Sequence, residues 1–310
     1  MLSRAEVERL LDVPTLMTEL ETGFRAISEQ NTSVPPRTAS FAPSGLLGVM
    51  PAWMPGTLEA KLVAVFPGND EHGLPSHQAL IALFDEATGT PLALLDGTHI
   101  TAVRTAAGSA VATRLLARPS ARVLAILGAG VQGHNHLSVV TPTRDFAEIR
   151  IASRSLERAR ELAATDSRAA SGSDFEAAVR GADVVCCCTD ALEPVLQMDW
   201  LAPGVHVNSV GGSVRGQGEL PIDLVRGASL FLESPTTFQA PPAGAPELKG
   251  LDPGRATLLG DALAGRRPGR RTDDEVTVYK SVGHAVEDAC AARLVYDRAL
   301  AEGAGVRVSL

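Results

Sequence analysis

Cysteine is scarce in this 310-residue chain, and three of its four cysteines are adjacent, in "VVCCCTDA". Adjacent cysteines suit neither an intrachain disulfide framework nor the C-x-x-C spacing of a metal site, so no metal is expected. Cys186, Cys187 and Cys188 read as small core residues of a strand, and Cys290 as one on a helix. A basic cluster is also missing. The net charge is -8 with Lys and Arg scattered, which removes the electrostatic footprint for nucleic acid or an anionic membrane. No apolar run approaches the roughly 18 residues of a spanning helix, and "MLSRAEVERLLDV" carries charge where a signal peptide needs its apolar core. The expectation is a cytoplasmic protein with small-molecule partners. Internal repeats and low-complexity tracts are absent too.

What is present divides into two halves. A chain of this length with 45% hydrophobic residues fills two ordinary cores more readily than one. Ser3 and Glu6 form a capping-box pattern, and Leu16, Leu20, Phe24 and Ile27 keep helical spacing, so the chain opens with helices. The runs "GLLGVMPAW", "AKLVAVFPG" and "ALIALFDEATGTPLALLDG" predict sheet without crossover helices, the last as a hairpin. After "THITAVRTAAGSAVATRLLA", a long helix, the rhythm changes. Short apolar strands "RVLAILG", "IRIASRS", "ADVVCCCT", "HVNSV" and "SLFLES" alternate with helices, the signature of parallel βαβ units. Residues 239–274, rich in Pro, Gly and Arg, read as loops around one short helix, and the end of the chain as a strand and a final helix.

The first apolar run of the second half stops at "LGAGVQG". Gly128, Gly130 and Gly133 follow a strand and open a helix inside a βαβ unit, the context in which G-x-G-x-x-G holds a dinucleotide. The first glycine permits a tight turn, the second admits a pyrophosphate, and the third lets the helix pack close. Val131 and Gln132, at the helix start, belong to the same cofactor loop. Where an NAD-binding unit carries an acidic residue after its second strand, this chain has Ser153, Arg154 and Ser155. Arginine clamps a 2'-phosphate that a carboxylate would repel, so NADPH is the expected cofactor and NADH the less expected one. Ser281 and Val282, in "KSVG", are placed beside the nicotinamide. His134 and His136 are two apart on a helix and face apart, which argues for solvated or locally bonded rings.

Three cations stand in apolar or small-residue settings: Arg37 in "VPPRTAS", Lys61 in "EAKLVAVFPGN" and Arg104 in "ITAVRTAAGSA". A buried guanidinium requires an anionic partner. An internal Asp or Glu would serve any one of them equally well; three together favour a substrate carboxylate. On that basis, replacing Arg104 is expected to abolish turnover while folding survives.

At these residues the chain resembles the ornithine cyclodeaminase and mu-crystallin family, through "PPR", "GVMPA", "KLVAVFPGN", "LPSHQA", "LGAGVQG", "VNSVGGS" and "YKSVGHAVED", in order along nearly the whole chain. The resemblance implies an α/β fold: a Rossmann-type domain at 117–284 and an α/β substrate and dimerisation domain at 1–116 with 285–310, rejoined by the C-terminal helix. It implies a homodimer, and it places Arg37, Lys61 and Arg104 on the substrate carboxylate. His77 in "LPSHQA" is counted with the substrate-binding residues, and Lys61, Arg104 and Ser213 with the catalytic ones. Two departures bear on activity. Ser213 stands where the cyclodeaminases carry an aspartate, and Gly48 where they carry an acid ahead of the "MP" pair. Without that aspartate, deamination and ring closure lose a general base. The resulting expectation is NADPH-dependent reduction of a small α-imino carboxylate, such as pyrroline- or piperideine-2-carboxylate. The alternatives are an amino-acid dehydrogenase of the alanine or N-substituted type, an ornithine cyclodeaminase, and a non-catalytic NADPH-binding protein.

Overall fold

The computed structural model describes residues 1–211, 218–241 and 243–309. Two compact units emerge, 1–104 with 284–310, and 105–283. The first boundary therefore falls inside the helix Gly97–Leu116 rather than at its end. Side chains of its second half explain why. Thr113 accepts a hydrogen bond from Asn208 Nδ2 at 2.9 Å, and Ser109 bonds His136 Nε2 at 2.9 Å, so these turns are buried within the second unit.

In the first unit, helices Arg4–Leu10 and Val13–Ser28 open the chain, the former closed by the Ser3–Glu6 capping box. Five antiparallel strands follow in sequential order: β1 (Thr38–Ala42), β2 (Gly45–Met54), β3 (Thr57–Val65), β4 (His77–Phe84) and β5 (Pro91–Asp96). Strand alternation sends Met50, Ala52, Met54, Ile81 and Leu83 to the buried face. The C-terminal helix Ala285–Glu302 packs against that face and against helix Val13–Ser28. On β3 the alternation is the reverse of what hydrophobicity suggests: Glu59 and Lys61 point inward, 1% and 2% exposed, while Leu62 points outward at 41%. Leu47 and Leu80 share that outer face.

The second unit is an all-parallel sheet of eight strands. They are β6 (Val123–Leu127), β7 (Glu148–Ala152), β8 (Ala169–Gly172), β9 (Val184–Cys187), β10 (His206–Ser209), β11 (Ser229–Leu232), β12 (Ala256–Leu258) and β13 (Thr277–Lys280). Their spatial order, β12-β11-β13-β10-β9-β6-β7-β8, contains the Rossmann pattern with its reversal between β6 and β9. Cys186 and Cys187 lie in β9 and Cys188 just beyond it, all buried as free thiols. Strands β8 and β12 escape a reading by hydrophobicity. "AASG" has no β-branched residue, and β12 spans three residues inside the loop-rich stretch. Among the described residues no helix is long and apolar enough to cross a membrane.

Candidate active site

Lys61 sits on β3 opposite Met50 of β2 and Ile81 of β4, and its ion-pair partner comes from the C-terminal helix above the sheet. Its Nζ donates to Asp288 Oδ2 at 2.6 Å. Arg104 Nε donates to the other oxygen, Asp288 Oδ1, at 2.9 Å, and Arg104 NH1 to Glu287 Oε2 at 3.0 Å. One carboxylate thus bridges two buried cations. Glu287 Oε1 also accepts the His284 backbone N–H, closing a capping box at the start of the C-terminal helix. Burial lowers the Lys61 pKa from its ordinary value and Asp288 opposes that shift. Asp288 is held below the usual carboxylate range, against the cost of its own burial, by Arg104 and Lys61. Arg37, half-buried ahead of β1, lies close enough to depress both Lys61 and His284, and burial is the main reason His284 falls to about 4.

The anionic partner that a buried Arg104 requires is therefore internal: the two acids of "AVED". Sequence reasoning missed them because they lie far along the chain, although paired acids in the first turn of a helix buried on nearly every side were a signal. A third acid of the cluster, Glu59, has its pKa raised well above the usual range by burial first and Asp288 second. His77 is not brought to this cluster: β4 pairs it with Val65, four residues along β3 from Lys61 and so about 13 Å away, and its ring is exposed beside Ser76.

In the second unit the glycines divide into two kinds. Gly128 has φ +106°, and a Cβ there would lie 2.5 Å from the Cys188 carbonyl oxygen. A Cβ on Gly133 would lie 2.1 Å from the Gly128 carbonyl oxygen. A Cβ on Gly130 would meet nothing within 4 Å. Two glycines are thus needed by the fold and the third leaves open space at the N-terminus of helix Val131–Val140, where backbone N–H groups are unpaired. Val131 is exposed there, and Gln132 Oε1 is buried without a hydrogen-bond partner among the described residues. These features fit a bound pyrophosphate. Ser153, Arg154 and Ser155 follow β7 directly; the serine oxygens accept backbone N–H groups of Ser155 and Arg158, while Arg154 is exposed, 3.6 Å from the equally exposed Asp190.

At the carboxyl ends of β10 and β13 lies a second buried polar group that the sequence did not disclose. Glu219 accepts from Thr189, Ser209 and the Gly211 N–H, and Lys280 pairs with Glu247 at 3.0 Å and donates to Ser209. Ser281 and Val282 follow, both buried, and the Val282 N–H is taken by Glu233. Ser213 lies outside the described residues. His134 is exposed, whereas His136 is buried between Gln132 O and Ser109 Oγ, so the two rings do not converge. Among the described residues no cluster of three metal-ligating side chains occurs.

A Rossmann-type unit with an open glycine loop, in a chain that also carries an α/β unit with a buried cationic cluster, defines a dinucleotide-binding protein. Residues 1–303 match the ornithine cyclodeaminase/mu-crystallin family, and the chain belongs to it. It is 43% identical over 258 residues to the ketimine reductase mu-crystallin of Mus musculus, covering 82% of this chain and 80% of that one. Among solved structures, it matches Δ1-pyrroline-2-carboxylate reductase of Thermococcus litoralis, in complex with NADH and L-proline, with TM-score 0.92 and 33% identity, covering 99% of each chain. An archaeal alanine dehydrogenase dimer with bound NAD matches with TM-score 0.92 and 28% identity, covering 99% of this chain and 98% of that one.

Proposed function

We propose that the chain reduces a small cyclic α-imino carboxylate, such as Δ1-pyrroline-2-carboxylate or Δ1-piperideine-2-carboxylate, to the amino acid, with NADPH as cofactor. The observation that carries this reading is the cluster in which Lys61 and Arg104 are buried and held by Asp288 and Glu287 with Arg37 beside them, cations gathered where a substrate carboxylate would be bound. The names of the relatives, a ketimine reductase and a pyrroline-carboxylate reductase, support the same chemistry. Lys61 and Arg104, already oriented by Asp288, accept the carboxylate with little reorganisation, so binding energy goes into placing the C=N carbon.

The dinucleotide belongs at Gly128, Gly130, Val131, Gln132 and Gly133, and when bound it supplies the hydride. Arg154, with the hydroxyls of Ser153 and Ser155, takes the 2'-phosphate; both serine oxygens are already acceptors, so each contributes its O–H hydrogen. Ser281 and Val282 line the nicotinamide end as buried packing, the Val282 N–H being committed to Glu233. An iminium needs orientation more than acid-base chemistry, which agrees with Ser213 at the position of the cyclodeaminase aspartate. Lys61, with its lowered pKa, is the proton source best placed beside the carboxylate site.

The outer face of the first sheet completes the reading. Leu47, Leu62 and Leu80 are 47%, 41% and 53% exposed on adjacent strands, a contiguous apolar patch that a second copy of this chain would cover. Screening cyclic imino acids, linear imino acids, and keto acids with amines, while following NADPH absorbance, tests the reaction. Turnover of cyclic imino acids supports it, and turnover of pyruvate with ammonia alone would favour the dehydrogenase reading.

A further inference from the structure

The chain leaving β9 runs on one side of the glycine loop and the chain leaving β7 on the other, because β6 is hydrogen-bonded between those two strands. The three strands end level, with Leu127 in register with both Ala152 and Cys187. Just beyond, the Gly128 N–H donates to Ala152 O and the Cys188 N–H to Leu127 O, each at 2.8 Å. Thr189 packs close to the loop: a Cβ on Gly128 would lie 3.2 Å from its Cγ2. It is also anchored, since its N–H and its hydroxyl both donate to Oε1 of the fully buried Glu219 at 2.6 Å. Asp190, the next residue, therefore extends from a fixed backbone beside the cofactor loop. Its side chain is 95% exposed and faces Arg154 at 3.6 Å, its one ion-pair or hydrogen-bond partner among the described residues. This pair spans the end of β6, the carboxyl edge at which a Rossmann unit takes its dinucleotide.

We infer that Asp190 is a specificity-determining residue for the cofactor: its carboxylate competes with the 2'-phosphate for Arg154 and repels it, a role that rests on Arg154 holding that phosphate. The preference for NADPH is thereby restrained, while NADH, which brings no charge to this place, binds almost as it would without the carboxylate. An ion pair between two exposed side chains adds little to stability, so its main effect falls on an anion that approaches Arg154. The direction follows from charge. Removing the carboxylate frees the guanidinium and takes away a like charge, and both changes favour the phosphorylated cofactor. The size follows from exposure: charges a few ångströms apart in a solvated setting, one of them a phosphate near -2, change affinity by about three- to tenfold at low salt.

The test is equilibrium binding of NADPH and of NADH to the full chain without substrate, followed by the fluorescence of the reduced nicotinamide, for native protein, Asp190→Asn and Arg154→Ala. Asp190→Asn keeps the shape and removes the charge. At about 0.02 M salt it should bind NADPH about three- to tenfold more tightly than native and NADH within about twofold of native. At about 1 M salt, where charges are screened beyond roughly 3 Å, the gain should disappear. An Asp190→Asn ratio of NADPH to NADH affinity equal to the native one at low salt overturns the inference and leaves the phosphate site standing. A gain that persists undiminished at high salt overturns it as well, because its cause would not be charge. Arg154→Ala binding NADPH as tightly as native overturns the phosphate site itself, and the role of Asp190 with it.

Discussion

Replacing Arg104 by Leu tests the ion network most severely. The sequence suggested that folding would survive, because it offered the guanidinium a ligand as partner; the structure supplies Glu287 and Asp288 instead, at 3.0 and 2.9 Å. Arg104 is 4% exposed and the two acids 1% or less, so leucine would take one cationic partner from each of two buried carboxylates. Breaking such a pair typically costs about 3–5 kcal/mol, because an uncompensated charge stays buried. At about 2–4 °C per kcal/mol, Tm should fall by roughly 6–20 °C. Lys61 remains on Asp288 and the His284 N–H on Glu287, which keeps the loss near the lower bound. Differential scanning calorimetry of native and Arg104→Leu protein, with and without NADPH, reads the shift, and steady-state kinetics read turnover. Adding Glu287→Gln to Arg104→Leu should recover part of the loss. A single variant unfolding within about 2 °C of native would refute the claim that these pairs are energetically coupled, and near-native kcat/KM would remove Arg104 from the substrate site.

Arg154→Asp should reverse the cofactor preference, with native protein favouring NADPH over NADH by roughly tenfold, a modest factor because the side chain is exposed; equal affinities in the native protein would sink the phosphate assignment. Gly130→Ala should leave stability nearly unchanged and weaken NADPH binding, whereas Gly133→Ala, whose Cβ would strike the Gly128 carbonyl, should destabilise the second unit; binding titrations and melting curves separate the two. His136 and His206 are buried neutral, with pKa values lowered from 6.5 to about 4 and about 3, chiefly by burial. Because the folded values are the depressed ones, the unfolded chain takes up protons first as pH falls. Each histidine should therefore cost about 2 kcal/mol of stability between pH 6.5 and pH 5, measurable by denaturant titration at a series of pH values. A flat stability profile over that range would mean that these rings are solvated.

The legible parts of this molecule were those encoded over short distances. The glycine loop, the alternation of short strands with helices, and the hairpin at "EATGT" each occupy a few consecutive residues and appear where expected. The candidate site was legible in its cations and opaque in its anions. Lys61 and Arg104 meet Asp288 across 227 and 184 residues of chain, a pairing that no local pattern encodes. Strand β3 is instructive in another way. Hydrophobicity alone would put Leu58, Ala60 and Leu62 inside and Glu59 and Lys61 outside; the structure does the reverse, in line with the apolar setting read for Lys61. That inversion places the charges where ion pairs compensate them, and leaves the leucines on the face that the proposed second copy would cover.

The central claim is tested most directly by giving the purified protein Δ1-pyrroline-2-carboxylate and NADPH, following absorbance and proline together, with ornithine and NAD+ in a parallel reaction. The account predicts that NADPH is consumed in step with proline formed, that the rate falls as pH rises above the iminium pKa, and that ornithine releases no ammonia. Conversion of ornithine to proline and ammonia, without reduction of the imino acid, would contradict it, since some group other than Ser213 would then supply the base that cyclisation requires.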